Sequence, residues 1–241
     1  MSSIPTLPVG GGEKLLINAD MHRRCYVYTA AQPWVESPSR QVLRKRVHLA
    51  GGAESGQVTS LVRYQPGASF SRHEHPQGEE ILVLEGIFSD EHGDWPAGTW
   101  LLNPEGFTHQ PFSKAGCLLL VKLRQYTGQR QASTNWPSLP LTKPPADGYP
   151  ERRLDDYAGV QTSILELPPE ATLTEHFTGG VEGFVVTGSL SLGTVKLMEH
   201  DWFRLPPGDT LSLVSNGCTL YLKSNGVTKL IHEPHQAAET Q

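Results

Sequence analysis

Three histidines and one carboxylate stand at spacings that suit a metal ion. His73 and His75 are two residues apart, Glu79 follows four residues later, and His109 lies further on. On a strand, side chains two apart share a face, so His73 and His75 project side by side. Pro76-Gln77-Gly78 is a turn that returns the chain, so that Glu79 opens the next strand near the same spot. His109 follows a second turn, Pro104-Glu105-Gly106. This donor set suits one divalent transition metal per chain, with zinc or iron first and manganese or nickel also compatible. Its consequences depend on coordination number. Four protein ligands complete a tetrahedral zinc shell, the arrangement of structural sites. A six-coordinate ion keeps two positions open, where dioxygen and a bidentate oxygen substrate can sit side by side above the metal. No organic cofactor motif accompanies the set, and no catalytic residue beyond it is assigned.

The elements that must position these residues read as strands. Short apolar runs are cut by turn signals every 8–12 residues, among them Gly51-Gly52, Pro66-Gly67, Pro96-Ala97-Gly98 and Ala115-Gly116. That rhythm predicts an all-β antiparallel sandwich or barrel, with its strongest strands at 81–84 and 117–123. Residues 127–150 break it with five prolines and few apolar residues, which predicts a linker. The halves on either side repeat. PGASFSRHEHPQGEEILVLEG (66–86) aligns with PEATLTEHFTGGVEGFVVTG (169–188) at an offset of 103, and NPEG (103–106) aligns with LPPG (205–208). The expected organisation is an N-terminal arm (1–29), a metal-binding domain (30–126), the linker (127–150), a degenerate second copy (151–233) and a tail (234–241). At that alignment the second copy places His176, Thr178, Glu182 and Leu211 at the ligand positions, too few donors for a second site.

Composition excludes several classes. The 241 residues carry a net charge of −5, a poor match to nucleic acid, which asks for a basic face. No run approaches the ~18 apolar residues of a membrane helix. Cys25, Cys117 and Cys218 are far apart and odd in number, which argues against a disulfide framework and for a reducing compartment. With no secretory leader in the first residues, a cytoplasmic location is expected. Arg44-Lys45-Arg46 reads as a solvated edge strand whose charges alternate between faces. Glu80 is expected to face away from Glu79, in a structural role or an ion pair between the copies. Tyr64, Phe70, Trp100 and Phe112 are candidate pocket walls, and Cys117 and Cys218 are expected to be buried.

The spacing resembles the cupin superfamily. Its first motif, G-x5-H-x-H-x3-E-x6-G, is met by Gly67, His73, His75, Glu79 and Gly86. Its second, G-x5-P-x-G-x2-H-x3-N, is met by Gly98, Pro104, Gly106 and His109, with Ser113 in place of Asn. Within the cupins, residues 30–126 resemble the ChrR-like family, through the doubled Glu after Gly78, the LVLEG strand, the FSDE hairpin and the Gly-Cys before the last strand. The resemblance implies tandem double-stranded β-helix (jelly-roll) barrels, a bicupin, with His73, His75, Glu79 and His109 as metal ligands. It implies a regulatory or sensor protein linked to oxidative stress. The alternatives are a metal-dependent dioxygenase of a diketone or hydroxy-ketone, or a non-catalytic small-molecule binder with a structural metal. The anti-sigma factors of the family carry a zinc domain with a C-x-x-C pair, which this sequence lacks, so sigma-factor binding is not carried over. Pairing into a homodimer is compatible with the fold.

Overall fold

The computed structural model describes residues 16–142 and 149–231. The expected tail, 234–241, and the first fifteen residues of the expected arm lie outside them. The fold is built almost wholly of antiparallel strands. In the first half one sheet runs in the order Ala132–Asn135, Thr99–Asn103, Glu79–Asp90, Cys117–Leu123, Gln57–Tyr64, Val42–Ala50 and Val35–Glu36. A two-stranded ribbon of His73–His75 and Phe107–His109 stands apart from it. In the second half the order is Cys25–Val27, Trp202–Leu205, Val181–Leu192, Asp209–Ser224, Val160–Phe177 and Glu151–Tyr157. This is the double-stranded β-helix twice over. Among the described residues no helix is long and apolar enough to cross a membrane.

The halves exchange strands. Cys25–Val27 precedes the first barrel yet pairs with Trp202–Leu205 of the second. Ala132–Asn135 precedes the second barrel yet pairs with Thr99–Asn103 of the first. Segments expected as arm and linker therefore each add a strand to the opposite half.

Three apolar cores result. One fills the first barrel, around Tyr64, Ile81, Val83, Phe88 and Leu119. One fills the second, around Phe177, Val181, Leu205, Leu211 and Leu220. The third lies between them, where Leu82, Trp100 and Leu118 meet Ile164, Phe184 and Trp202. This explains the unbroken run EEILVL. Ile81 and Val83 face the barrel, Leu82 faces the other half, and a strand buried on both sides reads as continuously apolar. Each such side chain contributes about 1.5–3 kcal/mol on burial.

The middle layer also holds charge. Lys122 Nζ reaches Glu182 Oε2 at 2.5 Å and Thr59 Oγ1 at 3.1 Å. Reciprocally, Lys223 Nζ reaches Glu80 Oε2 at 2.6 Å and Thr162 Oγ1 at 3.4 Å. Glu80 also accepts from Trp100 Nε1 at 2.8 Å and the Tyr221 hydroxyl at 2.5 Å. Burial alone would raise the pKa of both carboxyls. The facing lysines reverse this and hold each below the ordinary carboxylate value. Glu80 thus makes the ion pair between copies that its position next to Glu79 predicts.

Candidate metal centre

The His73–His75 strand lies antiparallel to Phe107–His109, with His73 opposite His109. This ribbon closes one end of the first barrel. Ligand nitrogens of His73, His75 and His109 all lie within 4.8 Å of one another. His75 Nε2 and His109 Nε2 are 2.9 Å apart. Glu79 begins the neighbouring strand, and its Oε2 is 3.6 Å from His75 Nε2 and 3.7 Å from His109 Nε2. The four side chains expected to converge are therefore brought together. His75, Glu79 and His109 are buried, and His73 is half-buried toward the opening.

The surroundings prepare the nitrogens. His109 Nδ1 sits 3.1 Å from Asp90 Oδ2, and His73 Nδ1 sits 2.8 Å from the Ser71 carbonyl. Each contact takes up the Nδ1 proton and leaves Nε2 as a lone-pair donor. Asn103 Nδ2 donates to Glu79 Oε2 at 3.1 Å and fixes that carboxylate. Burial pushes the pKa of His75 down to about 4, so the ring is neutral at pH 7. At His109 burial acts the same way, but the hydrogen bond to Asp90 and the charge of Glu79 outweigh it and raise the pKa. The clustered imidazole nitrogens, with the Glu79 carboxylate among them and Asp90 behind His109, offer their donors to a cation. Two nitrogens at a right angle about a ~2.1 Å bond would be about 3.0 Å apart, close to the observed His75–His109 separation. The donors fit a divalent transition ion.

Asp90 carries no recognisable spacing to the histidines. Its signal is the strand itself: a bulge opposite Leu118–Leu119 resets the alternation. The inward face therefore carries Glu79, Ile81 and Val83, then Phe88 and Asp90. Ser113, at the position usually Asn, is buried and donates to the Ile87 carbonyl at 2.6 Å, away from the four donors.

A cavity of about 340 Å³ opens on the histidines, walled by Val62, Tyr64, Phe70, Phe88, Leu119 and Val121 among others. Tyr64 and Phe70 are walls, as expected. Trp100 is not, because Leu101 and Asn103 take the inward face and turn it to the middle layer. Phe112 pairs beside Ser69 and Ser89, outside the cavity lining. The reading of Arg44-Lys45-Arg46 as a solvated edge needs correction. Only Lys45 turns outward, to the Thr29 carbonyl at 2.8 Å and the Trp34 ring. Arg44 and Arg46 line the cavity, joined by Arg124. A charged alternation looks the same whether its polar face meets solvent or a polar barrel interior.

Cross-strand partners also revise the alignment of the halves. His75 faces Phe107, as Phe177 faces Asp209; Glu79 faces Asn103, as Val181 faces Leu205; His73 faces His109, as Glu175 faces Leu211. The ligand positions of the second half are thus Glu175, Phe177, Val181 and Leu211, at an offset of 102. His176 is exposed and Glu182 is the counterpart of Glu80. Tyr64 and Leu167 still correspond at 103, through Cys117 and Cys218. The second half is therefore one residue shorter after Leu167. The irregularity lies between Pro169 and Thr172, where Glu170 has φ 65°. A one-residue slip moves a strand's side chains to the opposite face.

An antiparallel barrel with His-x-His, Glu and a later His on its inner wall is a cupin. Residues 22–127 match the ChrR cupin-like domain. No curated protein sequence matches. Similar solved structures include a candidate dioxygenase from Nostoc punctiforme, with 15% identity and TM-score 0.68 over 84% of this chain and 82% of that one. The bacterial pirin YhhW from Escherichia coli, in complex with nickel(II), gives 13% identity and TM-score 0.65 over 84% and 98%. A salicylate 1,2-dioxygenase from Pseudaminobacter salicylatoxidans gives 14% identity and TM-score 0.54 over 71% of each chain. At these identities the likeness establishes the fold.

Proposed function

We propose that the chain is a metal-dependent oxygenase acting on a small carbonyl compound, a diketone or hydroxy-ketone. His73, His75, Glu79 and His109 are its metal ligands. The observation that carries this reading is the cavity of about 340 Å³ directly above them. A structural ion needs no such space, whereas a substrate approaching two open coordination positions does. Bound there, a divalent transition metal supplies Lewis acidity and open positions for oxygen ligands. The protein supplies the rest. Three neutral imidazoles leave the ion's charge undiminished, and Glu79, tethered by Asn103, offsets one unit of it. Asp90 holds the His109 ring in one orientation and tautomer. Apolar walls exclude water and hold the carbonyl compound's body against the histidine end. The likeness to the candidate dioxygenase, the salicylate dioxygenase and the nickel-bound pirin is consistent with this chemistry.

The test is oxygen uptake with acetylacetone or hydroxyacetone, after loading with iron(II), manganese(II) or nickel(II). Substrate-dependent uptake with at least one metal, lost in H75A, is expected. Stoichiometric zinc in the purified protein, with no uptake under any loading, would sink the oxygenase and favour the regulatory role that the ChrR family suggests.

A further inference from the structure

We propose that the cavity takes a ligand bearing a carboxylate, held by Arg44, Arg46 and Arg124, and that Glu54 fills that place when no ligand is bound. This names the substrate class of the same site, and it rests on the oxygenase reading only for the end of the ligand that meets the metal.

The three guanidinium groups line the same cavity as the three histidines. Arg46 lies opposite Ser60, which faces Val121, which faces Ile81. Arg44 stands in the next row, opposite Val62, Leu119 and Val83. Three strand intervals separate the arginines from the strand that Glu79 begins, about 14 Å along the curved sheet. The wall between is apolar: Val62, Leu119, Val121 and Ile81. Arg124 follows the end of the Cys117–Leu123 strand, where its backbone N–H bonds to the Gly78 carbonyl, beside Glu79. The cavity therefore has a metal-ligating end, an apolar middle and a cationic wall.

That wall is under-neutralised. Among the described residues one carboxylate serves it: Glu54 accepts two hydrogen bonds from Arg44 and one from Arg46 at 3.0 Å. Among the described residues Arg124 reaches only main-chain oxygens, Glu54 at 3.0 Å and Gly56 at 3.4 Å. Arg44 Nε is buried with no hydrogen-bond partner among the described residues. Burial also works against the charges of Arg46 and Arg124, lowering both from the ordinary arginine value. Three charges held in this way, with two left over, describe a site for an incoming anion better than a closed structural pair. Glu54 shows what the anion is. It presents a carboxylate to Arg44 in the two-pronged pose such a ligand would take. Its side chain is 53% exposed, on a loop bounded by Gly51-Gly52 and Gly56, so it can leave.

Calorimetric titration of the full chain with two matched pairs tests this. Succinylacetone, a β-diketone with a carboxylate tail, and its methyl ester are titrated into metal-loaded protein. Octanoate and octanamide are titrated into metal-free protein, where no ion can take the carboxylate. Each acid should bind about tenfold or more tightly than its neutral partner. R46Q and R124Q should erase that ratio and leave the neutral partners' affinities in place. E54Q, which removes the internal competitor, should widen the ratio several-fold. Equal affinities within both pairs, a ratio that survives both arginine variants, or no binding by any of the four probes would overturn the inference. If octanoate is preferred while neither diketone binds, the carboxylate wall stands and the oxygenase reading fails.

Discussion

In the first barrel the inner wall ends in His73, His75, Glu79 and His109; in the second the same wall holds Glu175, Phe177, Val181 and Leu211. The first set leaves a cavity, and the last three of the second set join an apolar core. The outer faces behave oppositely. There the copies remain matched, Glu80 with Glu182, Lys122 with Lys223 and Thr59 with Thr162, each lysine reaching across to the other half. The contrast separates two demands on one scaffold. The faces that hold the halves together have kept their polar chemistry in both copies, and the faces that look inward have not.

The sharpest way to break this comparison is at the ligands. H75A and H109A should each lose nearly all bound metal, while H176A and E182Q should lose none; elemental analysis of protein purified without chelators reads the difference. Metal loss in H176A would return the ligands to the offset-103 alignment. Next in size is the middle layer. K122M removes the hydrogen-bonded counter-charge of the buried Glu182 carboxylate and leaves it only the more distant Arg204, and chemical denaturation should show a loss of about 3 kcal/mol. K223M should cost less, because Glu80 keeps Trp100 and Tyr221 as donors. Equal costs would show that those two donors carry no weight. D90N should lower metal affinity about 10–100-fold with the fold intact, through loss of the His109 orientation. A competitive chelator titration measures it.

The gentlest effect is a slope with pH. His48 lies in the middle layer, 3.4 Å from Arg204, and burial pushes its pKa from 6.5 down to about 4. His75 is shifted alike when no metal is bound. The unfolded chain protonates these rings first as pH falls. Their contribution is therefore present above pH 6.5 and is lost as pH falls toward about 4, at about 1.4 kcal/mol per pH unit for each ring. Denaturation of metal-free protein across that window should show the decline, and H48Q should make it shallower. An unchanged slope in H48Q would place the proton uptake elsewhere.

The repeated β architecture and the four convergent side chains were readable because their signals are local. Two histidines two apart, a turn, and a carboxylate at the head of the next strand need little of the remaining fold. What escaped reading depends on parity. Letter by letter the second half keeps His176 and Glu182, because a single missing residue between Leu167 and Glu175 leaves the letters nearly aligned while turning the side chains over. Trp100 is open to the same ambiguity, since nothing in TWLLN shows which alternate set points inward. Arg44 and Arg46 have the pattern of a wet surface and stand in a cavity. Asp90, Glu54 and Arg124 meet their partners only through folding and have no fixed spacing to read.

The exchanged strands, Cys25–Val27 and Ala132–Asn135, have a consequence for how such a molecule can change. Strands traded in both directions are the contact of a two-fold pair of identical subunits. In such a pair every substitution arrives twice, so emptying one barrel empties both. Carried on a single chain, the same handshake no longer binds the partners to one fate. One barrel can give up its donors for phenylalanine, valine and leucine and serve as the other's backing, and the asymmetry costs no site.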